Sequence, residues 1–373
     1  MKIVDKELDK IISKYDHVGL SVLHANPDGV DYLVNYGLSS LETKKPIEND
    51  TIYRIASISK VVVALCAMKL FEEGKLDIHE DISKYLGFKV RNPHFPLKPI
   101  TTEMLMTQTS SLCDGNDDPI CGYDGVNGPT IFVSLEDLLN NPDYVYYSPK
   151  TYLDTEPGTV WNYSNFGCGI LACIIEKITN KLFTDYVKEV ILDPLEIDGG
   201  YRIDQVEKKE KVASLYDYQN GEFVLERDLN LFEEKLFPKY PIGNNFRGPA
   251  GGLFISPLDL SKIMIMMMNK GSYNGIRILK EETITEMEKV HWRGISSDPS
   301  YKAKGLQLII LDGYSKEVLR GHFGCAYGLR SFMLYTRKNG YIFLCNGANY
   351  KEFAEHMVKM ESDILKYLVK EYE

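Results

Sequence analysis

The chain has 373 residues, 44% hydrophobic and 26% charged, proportions of an ordinary globular protein long enough to bury a sizeable core. Its formal net charge of -10 argues against a nucleic-acid partner, which would call for a basic patch. No stretch reaches the roughly 18 uninterrupted apolar residues of a membrane span, and residues 1–8 mix charge with apolar positions instead of forming a secretory leader. A cytoplasmic location is the expectation that follows, with a trimmed secreted form as the alternative.

Taken in order, residues 6–15 carry Leu8, Ile11 and Ile12 at helical spacing. Residues 18–23 and 31–36 read as two strands around the turn Asn26-Pro27-Asp28-Gly29, a hairpin. Then comes Ser57-Ile58-Ser59-Lys60, followed by the apolar run from Val61 to Phe71. That run has no polar stripe, so its helix must be buried on all sides. Gly74 marks its C-terminal end. A Ser-x-x-Lys tetrad at the start of such a helix brings a hydroxyl and an amine one turn apart on one face, close enough to exchange a proton.

Residues 101–109 predict a short helix with Thr101 or Thr102 as its cap. The loop 113–130 is rich in Asp, Gly and Asn, and a solvated loop is expected there. Its Asp114-Gly115-Asn116-Asp117-Asp118 has Gly125 where an EF-hand needs glutamate, so it is not read as a calcium loop. Residues 166–178 predict a second apolar helix. Within it Gly167-Cys168-Gly169-Ile170-Leu171-Ala172 matches a dinucleotide fingerprint as a string, but no strand precedes it, and the glycines are read as sites of close helix packing.

A third helix is predicted from Pro257 to Asn269, its methionines Met264, Met266, Met267 and Met268 filling core. Strands follow over 305–310, 329–335 and 341–346, with Lys338-Asn339-Gly340 turning the last pair, and a closing helix over 353–370. Strands at both ends with helices between them imply an α+β fold. One antiparallel sheet is assembled from both termini with flanking helices (about 1–60 and 245–373), and a helical lobe (about 61–244) is inserted, the whole forming one catalytic unit. The cysteines number seven, so at least one is unpaired. Cys66, Cys168, Cys173 and Cys345 lie in apolar runs as small core residues; Cys113 and Cys121 flank a loop, free thiols being expected and a bond between them the alternative.

Three motifs stand in order: Ser57-Ile58-Ser59-Lys60, Tyr163-Ser164-Asn165 and His322-Phe323-Gly324. With them go Glu73-Gly74-Lys75-Leu76-Asp77, Glu156-Pro157-Gly158-Thr159, Asp193-Pro194-Leu195 and Gly251-Gly252-Leu253. Together these blocks cover most of residues 10–350. The ordered set resembles the serine β-lactamase and penicillin-binding protein superfamily, in the branch of class C β-lactamases, D,D-carboxypeptidases, D-amino-acid peptidases and related esterases. The resemblance implies a β-lactamase/transpeptidase-like fold and cofactor-free acyl transfer. Ser57 would be the nucleophile, with Lys60 and Tyr163 as a coupled pair of candidate bases. Asn165 would hold Lys60 and reach the substrate. His322, Gly324 and Cys325 would lie on an edge strand facing it, with the Ser57 and Cys325 N–H groups as oxyanion hole and Gly324 leaving room for substrate.

The chain also departs from that pattern. His322-Phe323-Gly324 stands where class C β-lactamases have Lys-Thr-Gly, replacing a fixed cation by a group only partly charged near neutral pH. That favours esters, amides or peptides over β-lactams. Gln108 and Ser111 replace the histidine and glycine of the usual His-Thr-Ser-Gly. His17, His24, His79, His94, His291 and His356 lack ligand spacing, so no metal site is expected. The implied partner is a small-molecule or peptide substrate. The alternatives are a class C-type β-lactamase or D,D-carboxypeptidase, or a catalytically silent ligand-binding or sensor domain.

Overall fold

Strands that carry apolar side chains on both faces need cover on both sides, and the central sheet of this protein is built that way. The computed structural model describes residues 6–115, 120–128, 130–236, 238–294, 302–350, 353–354 and 357–373. Among the described residues, nine strands pair antiparallel in the spatial order Trp292–Arg293, Ala303–Lys304, Ile309–Leu311, Leu319–Ala326, Leu329–Tyr335, Gly340–Cys345, Gly19–Asn26, Gly29–Ser40 and Lys45–Pro46. Leu20 lies opposite Cys345 and His24 opposite Tyr341, so the two ends of the chain meet in mid-sheet, as the strand distribution implied.

The period of two sorts the side chains. Leu20, Val22, Phe332, Leu334 and Phe343 face a core shared with helices Lys6–Ile12 and Lys359–Tyr372. Leu23, Ala25, Met333, Ile342 and Leu344 face the other core, which holds helices Ser59–Glu72 and Pro257–Met268. Helix Ser59–Glu72 is buried from Ser59 through Met68, the consequence of its uninterrupted apolar run, and Gly74 beyond its end has φ 69°. Thr101 is the cap of helix Thr102–Thr107, its side chain accepting from the Met104 N–H. Gly169 is a packing glycine: a Cβ there would lie 2.2 Å from the Phe246 carbonyl oxygen. Met264 to Met268 are core.

Several elements differ from expectation, each for a tertiary reason. Strand 305–310 is broken into Ala303–Lys304 and Ile309–Leu311, because Leu306 and Gln307 donate their N–H groups to the Met287 and Met106 carbonyls, outside the sheet. The closing helix begins at Lys359 instead of Phe353, with a short hairpin, Phe353–Ala354 and Met357–Val358, before it. Glu361 fixes that start, accepting from the Val358 N–H and pairing with Arg330 of strand Leu329–Tyr335.

The loop 113–130 is not simply solvated. It contains helix Gly122–Asn127, whose Tyr123 and Val126 are buried, and Tyr123 stacks on Phe166 at 5.4 Å. Asn116, Asp117 and Asp118 lie outside the described residues, as does His356. Cys113 and Cys121 are not joined in a disulfide, and their thiols donate to the Lys150 and Val145 carbonyls respectively. No helix among the described residues is long and apolar enough to cross a membrane.

Candidate active site

The nucleophile candidate sits just ahead of the buried helix, not in it. Ser57 occupies a tight 3-10 turn, Ala56–Ile58, that runs into Ser59–Glu72. Ala56 has φ 51°, a conformation costing about 1–3 kcal/mol for a non-glycine residue, which persists only where surrounding contacts impose it. Those contacts are present. Ser59 Oγ donates to the Ala56 carbonyl at 2.6 Å and accepts from the Leu253 N–H at 3.1 Å. Tyr201 donates to the Ser59 carbonyl at 2.6 Å, and the Ile55 N–H donates to the Leu253 carbonyl at 2.9 Å.

Lys60 is fully buried, and its Nζ has three oxygen neighbours: Ser57 Oγ at 3.0 Å, Asn165 Oδ1 at 2.8 Å and the Ala250 carbonyl at 2.8 Å. The last two can only accept. An ammonium would spend its third N–H on Ser57, whereas a neutral amine, with two N–H groups already committed, would aim its lone pair there. Tyr163 OH lies 2.6 Å from the same Ser57 Oγ, and its ring centroid is 4.8 Å from Lys60 Nζ. Both candidate bases are thus within proton-transfer distance of the serine.

Asn165 opens helix Asn165–Thr179, with Ser164 as N-cap accepting from the Gly167 N–H. Its amide is held by a residue that sequence reading assigned to a solvated loop. Asp114 is 8% exposed. One of its oxygens accepts from the Asn165 N–H and Nδ2 at 3.1 and 2.8 Å, the other from the Phe166 N–H and Ser164 Oγ at 2.8 and 3.2 Å. With Nδ2 committed to Asp114, the carbonyl side of the Asn165 amide must face Lys60. A carboxylate at a helix N-terminus is favoured by the exposed N–H groups and the helix dipole. Nothing in the local composition marks Asp114; the one available signal is its position three residues after Ser111, the end of the stretch that replaces His-Thr-Ser-Gly.

His322, Phe323, Gly324 and Cys325 lie on strand Leu319–Ala326. This strand is interior where Leu319 to Gly321 pair with Ile309–Leu311, and beyond Gly321 only the Leu329–Tyr335 side is paired. The motif half is therefore edge-like, as expected. Gly324 is required for a reason other than substrate access. A Cβ there would lie 2.2 Å from Ser331 Oγ and 2.5 Å from the Ile55 carbonyl oxygen, so glycine is what lets the strand reach the serine turn. Cys325 is exposed and lines the same cavity as Ser57.

Burial weighs against the partial charge expected of His322. Its Nδ1–H donates to the Phe323 carbonyl at 2.6 Å, leaving Nε2 as the lone-pair nitrogen with no partner among the described residues. Burial, then the charges of Lys304 and Lys60, hold the imidazolium well below the ordinary histidine range. Lys304 itself, unmarked in the sequence, is buried 5.8 Å from the Trp161 ring centroid, and burial followed by the charge of Lys60 pushes its amine down to about 7.

The site opens into a cavity of about 510 Å³ lined by Ser57, Tyr163, Asn165, His322 and Cys325 among others. Among the described residues no group of three or more His, Cys, Asp or Glu side chains is placed to hold a metal ion.

Comparison with known proteins finds relatives in family and in fold. The Beta-lactamase family model matches residues 4–357. A beta-lactamase of Providencia stuartii is 27% identical over 222 residues, covering 58% of this chain and 52% of the relative. The chain spans between 36% and 62% of the length of eight of the curated relatives it matches. Among solved structures, the octameric penicillin-binding protein homologue of Pyrococcus abyssi superposes with TM-score 0.72 at 24% identity, covering 97% of this chain and 75% of that one. The D-amino acid amidase of Ochrobactrum anthropi SV3, complexed with D-phenylalanine, gives 0.71 at 20% identity, covering 98% and 97%. With the three motifs converging on one serine and the family model matching nearly the whole length, the chain belongs to the beta-lactamase family.

Proposed function

We propose that the protein hydrolyses small esters, amides or peptides through an acyl-enzyme on Ser57, as an esterase or D-amino-acid-type peptidase or amidase. The observation that carries this reading is Ser57 Oγ within 3.0 Å of both Lys60 Nζ and Tyr163 OH. Ser57 gives its proton to that pair as its oxygen bonds the acyl carbon. The proton passes to the leaving oxygen or nitrogen as that bond breaks, and water then repeats the sequence to release the acid. The Ser57 and Cys325 N–H groups stabilise the developing oxyanion, a donor of this kind contributing about 3–4 kcal/mol. Asn165 positions Lys60 and meets the substrate's polar edge.

The third motif narrows the substrate. A buried imidazole at His322 puts no fixed cation on the third-motif strand, where the lysine of Lys-Thr-Gly would meet a β-lactam carboxylate, which favours ester and amide turnover over β-lactam hydrolysis. The fold shared with a D-amino acid amidase is in keeping with that choice. Incubation with a fluorophosphonate, read by intact mass, should give one adduct on the native enzyme and none on Ser57→Ala. Unlabelled native enzyme would refute the acyl-enzyme, and rapid cephalosporin hydrolysis would refute the preference for other substrates.

A further inference from the structure

The chain is acidic overall, with a formal charge of -10, yet its Ser57 cavity is lined by seven arginines and lysines against one carboxylate, Glu176. Glu176 is turned to local duty, accepting from the Phe183 and Gly243 N–H groups and from Asn245 Nδ2. Two of the cations form a built feature beside the nucleophile. Arg54 and Arg227 each place Cζ 4.6 Å from the centroid of the Tyr327 ring, and all three residues line the cavity.

Three separate elements put them there. Arg54 is on strand Tyr53–Arg54, three residues before Ser57, within about 11 Å of it even along a fully extended backbone. Its Nε donates to the Gly251 carbonyl at 3.1 Å, next along the chain to the Ala250 carbonyl that holds Lys60. Tyr327 turns the strand that ends at Ala326, two residues past Cys325, with φ 54°. Arg227 ends strand Glu222–Arg227. The counter-charge on this feature is modest. Arg227 has Glu226 at 2.9 Å, while Arg54 is held by the Gly251 carbonyl and the Tyr327 ring. The Tyr327 phenol is drawn toward ionisation first by Arg54, against its burial, with Arg227 adding to the pull. Cations gathered in a low-dielectric cleft focus field on whatever occupies it, and guanidinium forks suit carboxylates.

We propose that the substrate carries a carboxylate, seated between Arg54 and Arg227 in the Ser57 cavity while its acyl carbon lies at Ser57 Oγ. This deepens the acyl-enzyme reading and rests on it. It also separates two tasks that a single Lys-Thr-Gly lysine would combine, since His322 is neutral and the arginines supply the charge from another wall.

The test uses matched esters that differ only in charge. In one arm the carboxylate is in the acyl half, with mono-4-nitrophenyl adipate and suberate set against their methyl esters. In the other it is in the leaving group, with 3-carboxy-4-nitrophenyl butyrate against its methyl ester. The full-length enzyme is used throughout, with fluorophosphonate labelling of Ser57 measured in parallel. The expected result is a preference for the charged member in at least one arm, about tenfold or more in kcat/KM, that weakens as salt is added. In Arg227→Gln that ratio should drop at least threefold. Ratios at or below one in both arms, or a ratio untouched by Arg227→Gln, overturn the proposal while Ser57 labelling leaves the acyl-enzyme standing. Absence of both labelling and ester turnover overturns the two together.

Discussion

A carboxylate at position 114 decides which way the Asn165 amide faces, and through it which atom meets Lys60. Asp114 accepts four hydrogen bonds from Ser164, Asn165 and Phe166, so every lone pair it turns inward has a donor. In Asp114→Asn an NH2 group would confront two of those donors, and hydrogen bonds to a charged acceptor are worth about 1.5–3 kcal/mol each. The expected outcome is a loss of about 2–3 kcal/mol in stability by chemical denaturation, with ester kcat lowered at least tenfold as Lys60 loses its fixed acceptor. Unchanged kcat in a folded Asp114→Asn would remove this residue from the account.

The serine turn and the His322 strand are two elements that must touch without a side chain between them. Gly324 permits that contact, and Ala56 accepts φ 51° on the other side of it. An added methyl at 324 would have to displace both the Ser331 hydroxyl and the Ile55 carbonyl, at about 1–3 kcal/mol for overpacking. Any displacement also moves the Cys325 N–H relative to Ser57, and small misplacements in such sites can cost about 10²-fold. Gly324→Ala is therefore expected to lower thermal stability modestly and ester turnover by about two orders of magnitude. A stable, fully active Gly324→Ala would show that the strand and the turn are not coupled as described.

At the scale of the whole molecule, the sheet joining both termini and the buried serine helix were legible, because period-two alternation and an unbroken apolar run report burial directly. Ser57, Lys60, Tyr163, Asn165 and the His322 strand could be found from local motifs, and the fold brings them together around Ser57, with Lys60 buried behind the cavity the others line. Asp114, Lys304 and the Ala250 carbonyl could not, since each acts through a tertiary neighbour and carries no local signature. The same limit explains the broken strand at Gly305 to Leu308 and the helix Gly122–Asn127, where hydrogen bonds or aromatic packing to distant segments outweighed local composition. It explains His322 as well, whose neutrality comes from burial and from Lys304, 18 positions earlier in the chain.

The central claim is that chemistry passes through a covalent ester on Ser57. It is tested most directly by quenching the enzyme in acid during turnover of 4-nitrophenyl butyrate and locating the acyl group by peptide mass. A butyryl group is expected on the peptide carrying Ser57, accumulating within the first turnover, with neither acylation nor ester turnover above background in Ser57→Ala. Acylation of a different residue, or turnover in Ser57→Ala equal to that of the native enzyme, would contradict it.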